Sequence, residues 1–108
     1  MDGKIKVMIA DDQVILAEGI RSVLETDPGI EVTGLAFDGF DTLSKMEENT
    51  PDVVLMDIRM PNMNGVVATQ SIKAKYPDVK VIILTTFDDS DYILNAINNG
   101  ASGYLLKD

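Results

Sequence analysis

The sequence VVLMD, at residues 53–57, decides the fold class. Four consecutive apolar residues are followed by a carboxylate, and the run VKVIIL at residues 79–84 is almost as continuous. Short apolar runs without polar alternation are typical of strands that are buried on both faces of a parallel sheet. We therefore predict a parallel sheet in which Asp57 directly follows a buried strand.

Three more short apolar runs, at residues 5–10, 30–36 and 104–106, accompany these two, and segments with helical spacing separate all five. The resulting order is βαβαβαβαβ. It predicts an α/β fold, because strands that alternate with helices form an open parallel sheet with helices on both faces. We expect a doubly wound, five-stranded sheet in one domain over residues 1–108, and we take the flavodoxin-like strand order 2-1-3-4-5 as a hypothesis.

Each helical segment has apolar residues three or four positions apart, which should face the sheet. Proline and glycine end three of these segments, and acidic residues suit the N-termini of two. The apolar stripes are Leu16, Ile20, Val23 and Leu24; Phe40, Leu43 and Met46; Val66, Ala68 and Ile72; and Ile93, Ala96 and Ile97. The acidic starts are Asp38 and Asp41 for the second helix, and Asp88, Asp89 and Asp91 for the fourth.

Composition limits the chemistry that this chain can perform. Its 108 residues include 9 Lys and Arg against 18 Asp and Glu, a net charge of −9, with no histidine and no cysteine. Thiolate nucleophiles, disulfides and the commonest general base are therefore excluded. The charge argues against direct contact with nucleic acid. No apolar run approaches the roughly 20 residues that span a bilayer, so we expect a soluble cytoplasmic protein without membrane contact.

Three carboxylates should converge at one edge of the sheet. Asp11 and Asp12 follow the first strand and Asp57 follows the third, and these strands are neighbours at the switch point of the expected order, where ligands bind. Carboxylates in such proximity resist joint ionisation, and a hard divalent cation relieves this repulsion. We predict Mg²⁺, with Mn²⁺ as an alternative. For Asp11 or Asp12 alone, capping of the first helix is the simpler explanation.

A hydroxyl and an ammonium group are expected at the same edge. Thr85 ends the fourth strand, and Lys107 follows the fifth. With a metal ion they suit a transferring phosphoryl group, because cations balance its oxygens and a carboxylate can act as the nucleophile. Taken singly, the threonine is more simply a strand former and the lysine a solvated cation.

Four segments resemble the receiver domains of two-component response regulators, and the resemblance covers the whole chain. They are IADD at residues 9–12, VLMDIRMPNMNG at 54–65, ILTT at 83–86 and GASGYLLK at 100–107. The segments TTFDD at 85–89 and GYLLKD at 103–108 resemble the class whose receivers precede a LuxR-type (NarL/FixJ-like) helix-turn-helix domain.

The resemblance implies a role for each site residue. Asp57 matches the phosphoacceptor, which receives a phosphoryl group from the histidine of a sensor kinase or from a small acyl phosphate. Asp12, Asp57 and the backbone carbonyl of Arg59 match ligands of Mg²⁺, and Asp11 matches an acidic residue that binds the ion through water. Lys107 matches the lysine that pairs with the phosphoryl oxygens.

The resemblance also implies a switch rather than an enzyme that acts on external substrates. Thr85 matches the hydroxyl that moves to bond the attached phosphoryl group, and Tyr104 matches the aromatic residue that turns inward when the threonine moves. The surface of helix four and strand five would change as the population shifts between two packings. The expected output is control of transcription.

The sequence departs from the commonest family pattern at several positions. Thr86 stands where alanine is more frequent, and its bulk could hinder the inward movement of Tyr104. Asp108 stands where proline is frequent, which puts the usual cis peptide in doubt. Arg59 and Phe87 lie at variable positions that tune the lifetime of the aspartyl phosphate.

The chain stops directly after the fifth strand. We expect a final helix and a DNA-binding helix-turn-helix domain beyond residue 108, and contact with DNA only through that domain. Without the helix, one sheet face should expose apolar side chains, and such patches tend to be buried by association. We therefore expect a homodimer, or an exchange of elements between two copies of the chain.

Three alternatives stay open at this point. A phosphatase or phosphotransferase with an aspartyl nucleophile usually has a second Asp two residues on, where this chain has Arg59. An electron carrier of the flavodoxin type needs a phosphate loop after the first strand, but residues 11–13 are Asp, Asp and Gln. A module that binds partners without phosphorylation would have no need of the acidic cluster, Thr85 and Lys107.

Overall fold

Strands and helices alternate along the part of the chain that the structure, a computed structural model, describes: residues 3–85 and 90–107. The strands form one parallel sheet in the order β2-β1-β3-β4-β5, so the predicted fold class and strand order are confirmed. The elements are β1 Ile5–Ala10, α1 Val14–Leu24, β2 Ile30–Ala36, α2 Gly39–Glu48, β3 Val53–Asp57, α3 Gly65–Lys75, β4 Lys80–Thr85, α4 Ser90–Asn98 and β5 Gly103–Leu106.

Three strand boundaries differ slightly from the sequence pattern. Asp57 is the last residue of β3, paired with Leu84 of β4, rather than the first residue after the strand. Val79 is buried, but its N–H donates to the carbonyl of Tyr76 (3.1 Å) and so belongs to the turn before β4. β5 begins at Gly103, one residue before its apolar run. Burial therefore marks the sheet face, whereas the hydrogen bonds decide where a strand begins and ends.

The helices cover the two faces of the sheet unequally. One core lies beneath α2, α3 and α4, and a second, smaller core lies beneath α1. Full burial of one aliphatic side chain stabilises the folded state by about 1.5–3 kcal/mol. The two cores therefore hold the helices against the sheet and keep the strand ends in place. The first core includes Met8, Met46, Val54, Met56, Ile72 and Ile83, and the second includes Val7, Ile9, Ala17, Leu55 and Leu84.

Three residues of the predicted stripes do not face the core. Val23 is 69% exposed, Phe40 is 59% exposed and Ile97 is 39% exposed, so their assignment to the stripes was wrong. Each of the three is next in sequence to a buried or half-buried residue. One position along a helix is a rotation of about 100°, which is enough to turn the side chain away from the buried face. The spacing of three or four is correct for the remaining members, but a narrow helix face holds only some of the candidates.

Side chains cap two of the helices that flank the site. Asp38 Oδ1 accepts from the N–H of Asp41 (2.7 Å) at the start of α2, as the acidic start predicted. Asn64 Oδ1 accepts from two N–H groups in the first turn of α3 (2.9 and 3.0 Å). Asp91 lies in the first turn of α4, whereas Asp88 and Asp89 lie outside the described residues.

Replacing Asn64 by alanine is expected to lower the free energy of unfolding by about 1 kcal/mol, because the first turn of α3 loses its acceptor. Urea denaturation followed by circular dichroism measures this change. Asn64→Ser is the control, since serine also caps helices. An equal loss in both variants would show that the cap is not the cause.

Two surface properties bear on what this chain contacts. None of the helices within the described ranges is long and apolar enough to cross a membrane. An apolar groove lies between α1 and β5, lined by Leu16, Ile20, Leu24, Leu55, Leu84, Leu105, Leu106 and the stem of Lys107. Leu105 and Leu106 are each 53% exposed, so an apolar patch stands open on this face, as expected from the sequence.

Candidate functional site

Three carboxylates meet at the carboxyl edge of the sheet. β1 and β3 pair side by side with Ala10 opposite Met56, so the residues that follow, Asp11 and Asp57, are at the same level. One oxygen from each of Asp11, Asp12 and Asp57 lies within 4.8 Å of the others. Asp11 is fully buried and Asp57 is 5% exposed, whereas Asp12 faces solvent. The parallel pairing thus produces the convergence that the sequence predicted.

Lys107 reaches into this cluster from the far side of β4. Its Nζ lies 3.1 Å from Asp11 Oδ2 and 3.2 Å from Asp57 Oδ1, where it donates a hydrogen bond. Its backbone N–H donates to the carbonyl of Thr85 (2.8 Å), which fixes the lysine at the edge of the sheet. One ammonium group therefore bridges the carboxylates that follow β1 and end β3.

Two other predicted site residues lie on the neighbouring strands β4 and β5. Thr85 is buried at the end of β4, the strand next to β3, and so lies at the same edge. Tyr104 pairs with Ile83 one residue into β5, an edge strand, and its side chain is 52% exposed. The positions Thr86, Phe87 and Asp108 lie outside the described residues.

Arg59 lies in the β3–α3 loop, residues 58–64, two residues beyond Asp57. Its side chain is exposed, and its guanidinium carbon lies 5.4 Å from the centre of the Tyr92 ring, a cation–π distance. Tyr92 belongs to the first turn of α4, so this contact joins the loop to that helix. No sequence signal pointed to Tyr92, because the contact depends on how α4 sits beside the loop.

Burial raises the pKa of Asp57 to about 6, and the charge of Asp11 acts in the same direction, against the lowering effect of Lys107. For Lys107, burial alone would lower the pKa, but the Asp57 and Asp11 carboxylates outweigh it, and the net pKa is raised. Asp57 is therefore crowded by negative charge and stays mostly ionised at neutral pH, while Lys107 stays protonated.

The charge and the donor atoms of the site suit a metal cation. Asp11 Oδ2 is buried, and the ammonium group of Lys107 lies 3.1 Å from it in an ion pair. Three carboxylates and one ammonium leave an excess of negative charge, and carboxylate oxygens are the ligands that Mg²⁺ prefers. The residues therefore fit a divalent cation.

Gly65 begins α3 directly beside the phosphoacceptor candidate, and sequence reasoning did not single it out. Its N–H donates to the carbonyl of Ile58 (2.8 Å), and a Cβ atom here would lie 2.1 Å from the backbone oxygen of Asp57. Such an approach admits only glycine. The helix start therefore packs against the backbone that presents the Asp57 carboxylate.

The comparison with protein families decides the identity. The family model described as the response regulator receiver domain matches residues 7–108. The chain belongs to this family. The resemblance in the sequence is thereby confirmed, and the carboxylate cluster lies at the ligand-binding edge of a receiver domain.

Curated relatives of this receiver domain carry the names of transcriptional regulators. The transcriptional regulatory protein LnrK of Bacillus subtilis is 50% identical over 104 residues, which are 96% of this chain and 47% of that protein. The transcriptional regulatory protein DegU of Brevibacillus brevis is 43% identical over 107 residues, 99% of this chain and 45% of that protein. The chain thus spans about half the length of the curated relatives that it matches.

Solved structures agree with this assignment. A LuxR-family response regulator from Aurantimonas sp. superposes with a TM-score of 0.90 at 35% identity, covering 96% of this chain and 74% of that one. The receiver domain of the putative response regulator NarL from Mycobacterium tuberculosis has a TM-score of 0.90 at 31% identity, covering 97% of this chain and 85% of that one. The receiver domain is therefore similar to the LuxR and NarL class, as the residues 85–89 and 103–108 indicated.

Proposed function

We propose that this receiver domain is a phosphorylation-controlled switch in which Asp57 accepts a phosphoryl group from a sensor histidine kinase. The observation that carries the proposal is the Lys107 bridge between the buried carboxylates of Asp11 and Asp57, with an oxygen of Asp12 within 4.8 Å of theirs. One crevice thus contains a carboxylate nucleophile, an ammonium group that can pair with the transferred oxygens, and acidic ligands for a metal ion.

In this mechanism, Mg²⁺ would be held by Asp12, Asp57 and the Arg59 carbonyl, with Asp11 binding through water, and it would supply positive charge near the phosphoryl oxygens. The ionised Asp57 carboxylate forms a bond to phosphorus while the bond to the donor's histidine nitrogen breaks. The electron pair stays on that nitrogen, which takes up a proton. Lys107, already 3.2 Å from Asp57 Oδ1, pairs with the new phosphoryl oxygens.

The proposed output is a change in the surface of α4 and β5. Thr85 is 1% exposed and belongs to β4, so a movement toward a phosphoryl group on Asp57 must leave space behind it. Tyr104, half-exposed on the neighbouring strand β5, is the side chain that would turn into this space. The phosphoryl group thereby favours one of two packings by the contacts that it makes in only one of them.

The test is phosphorylation by a small donor. With Mg²⁺ and acetyl phosphate, the intact mass of the chain is expected to increase by one phosphoryl group, and neither Asp57→Asn nor protein treated with EDTA should gain it. Asp52→Asn, which changes a carboxylate at the opposite edge of the sheet, is the matched control. An equal gain on Asp57→Asn, or no gain in the wild type, would refute the proposal.

An aspartyl phosphatase or phosphotransferase acting on external substrates would give a different result. Such an enzyme releases phosphate steadily from an added organic phosphate monoester, whereas the switch catalyses only its own phosphotransfer and slow autodephosphorylation and releases no phosphate from the monoester. Phosphate release is measured in the same preparation, so one experiment separates the two.

The wider partners are part of the proposal. The names of LnrK and DegU support an output domain that regulates transcription, so DNA would be contacted through that domain, outside residues 1–108. The net charge of −9 keeps the receiver domain itself away from nucleic acid. A cytoplasmic location, where a kinase can reach the domain, completes this proposal.

We also expect this chain to form a homodimer through the groove between α1 and β5, because burial of its open apolar side chains removes them from water. Light scattering at high protein concentration should show a dimer, and the double variant Leu105→Ser/Leu106→Ser should shift it toward monomer. Leu94→Ser is the matched control, since Leu94 is 61% exposed on α4 and lies outside the groove. A monomeric wild type would contradict the expectation.

A further inference from the structure

A hydrogen bond joins the β3–α3 loop to the N-terminus of α2. Asn62 Nδ2 donates to Asp38 Oδ2 over 2.7 Å. The other oxygen of the same carboxylate, Oδ1, caps α2 by accepting from the N–H of Asp41. These two hydrogen bonds lower the pKa of Asp38. One carboxylate thus holds both the helix start and the loop that follows the proposed phosphoacceptor strand.

The loop backbone needs this support at Asn62. Its φ is 66°, the only positive φ of a residue other than glycine within the described ranges. The N–H of Met63 donates to the carbonyl of Pro61 (2.7 Å), closing a tight three-residue turn around Asn62. A left-handed conformation costs about 1–2 kcal/mol for an ordinary residue, less for asparagine, so a side-chain hydrogen bond of similar strength helps to maintain it.

A second contact places the same turn against α2. The N–H of Gly39 donates to the carbonyl of Met63 (3.0 Å), and a Cβ at Gly39 would lie 2.5 Å from Met63 Cγ. The turn around Asn62 is therefore docked closely on the first residue of the helix, and Asp38 beside it is placed to accept from Asn62.

The other half of the loop is a second tight turn, and it contains Arg59. The carbonyl of Ile58 accepts from the N–H of Met60 (3.2 Å) and from that of Gly65 (2.8 Å). Arg59 lies at the centre of the turn between Ile58 and Met60, so the direction of its own carbonyl depends on the conformation of the loop. The two turns are adjacent, so only Met60 and Pro61 lie between their central residues, Arg59 and Asn62, and proline fixes its own φ.

We propose that Asp38 and Asn62 are positioning residues for the metal site: their hydrogen bond holds the β3–α3 loop in the conformation that presents the Arg59 carbonyl to Mg²⁺. The inference rests on the proposed function, in which that carbonyl is a ligand. Groups that hold metal ligands in place typically change metal affinity 10- to 100-fold when removed. Because the Met60 side chain is buried and anchors the middle of the loop, the effect should be about tenfold.

An exchange of the two side chains separates this role from a general effect on stability. Asn62→Asp places two carboxylates face to face and breaks the bond. The double variant Asp38→Asn/Asn62→Asp restores an amide–carboxylate pair, keeps the net charge of the wild type and retains a good helix cap, because asparagine and aspartate cap equally well. Asn62→Gly tolerates the positive φ but has no donor.

Calorimetric titration with MgCl₂ measures the affinity of each variant. We expect Asn62→Asp and Asn62→Gly to bind Mg²⁺ about tenfold more weakly than the wild type, and the double variant to return to within about twofold. The weakening by Asn62→Asp is opposite in sign to what its added negative charge alone would do to a cation. Asp27→Ala is the control, since it removes a similar bond to the N–H of Gly29 at the opposite edge and should leave the affinity unchanged.

The outcomes distinguish the two proposals. A wild type that binds no Mg²⁺ overturns the proposed function, and this inference with it. A wild type that binds Mg²⁺ while Asn62→Asp and Asn62→Gly bind equally well overturns the inference alone. The inference also fails if the double variant stays as weak as Asn62→Asp, because the restored pair would then have no effect on the ion.

Discussion

Replacing Gly65 by alanine is expected to lower the free energy of unfolding by about 3 kcal/mol, the upper part of the range for overpacked sites. The added Cβ would lie 2.1 Å from the backbone oxygen of Asp57, 2.9 Å from its carbonyl carbon and 3.0 Å from the Cα of Ile58. All three are backbone atoms, so no side-chain rotation relieves the clash. Because domains are stable by only about 5–15 kcal/mol, the loss should be obvious in urea or thermal denaturation.

Two other glycines supply matched controls for this prediction. At Gly39 the added Cβ would lie 2.5 Å from Met63 Cγ and 2.7 Å from Met63 Cβ, which are side-chain rather than backbone atoms, so Gly39→Ala should cost less than Gly65→Ala, about 2 kcal/mol. Gly19 lies within α1 with no atom within 4 Å of an added Cβ, so Gly19→Ala should raise stability by about 0.5–1 kcal/mol through helix propensity. If Gly65→Ala lowers the free energy of unfolding no more than Gly39→Ala does, the close approach to the Asp57 backbone is not the cause of the loss.

In the absence of divalent cations, Asp57→Asn is expected to raise the free energy of unfolding at pH 7 by about 2 kcal/mol. Burial and the Asp11 charge raise the pKa of Asp57 to about 6 from its ordinary value of 3.8, so its ionisation destabilises the folded state. About 1.4 kcal/mol corresponds to each pKa unit, and screening by solvent on the open side of the crevice reduces the total. Asparagine keeps an acceptor for Lys107 and removes the repulsion.

The sign of this effect fixes its pH dependence. A carboxyl group whose pKa is higher in the folded than in the unfolded chain favours folding in its protonated form, so wild-type stability falls from this cause as the pH rises from about 4 to 6. The advantage of Asp57→Asn should therefore be small at pH 4 and complete by pH 7. Urea denaturation in EDTA across this range measures it, and Asp78→Asn, an exposed carboxylate at the opposite edge, is the control.

Magnesium should reverse the order of the two proteins. A ligand that binds only the folded state stabilises it by about 2.7 kcal/mol at 100 times its dissociation constant. The wild type, with all three carboxylates, should gain most of this, while Asp57→Asn should gain much less. A variant that remains the more stable protein at saturating MgCl₂ would contradict the proposed role of Asp57 as a ligand.

Much of the candidate site can be predicted from the sequence, because its position depends mainly on the parallel pairing of the strands. The apolar runs and the helices between them require parallel strands, and parallel strands place their carboxyl ends at one edge. Asp11 and Asp57 therefore had to meet once β1 and β3 paired. Helix faces were less predictable: Val23 and Phe40 fit the spacing of their stripes, but they point away from the core because each helix buries only a narrow face.

Local apolar periodicity and chain direction predicted the α/β class and the edge of the sheet at which Asp11, Asp12, Asp57, Thr85 and Lys107 stand. The strand order was a hypothesis taken from flavodoxin-like folds, and the pairing of the strands confirms it. Three contacts depend instead on how the chain packs: Lys107 reaches across β4 to two carboxylates, Gly65 packs against the Asp57 backbone, and Asn62 donates to Asp38. These contacts join residues 8 to 96 positions apart. Their distances depend on how helices and loops pack on the sheet, which no local pattern encodes.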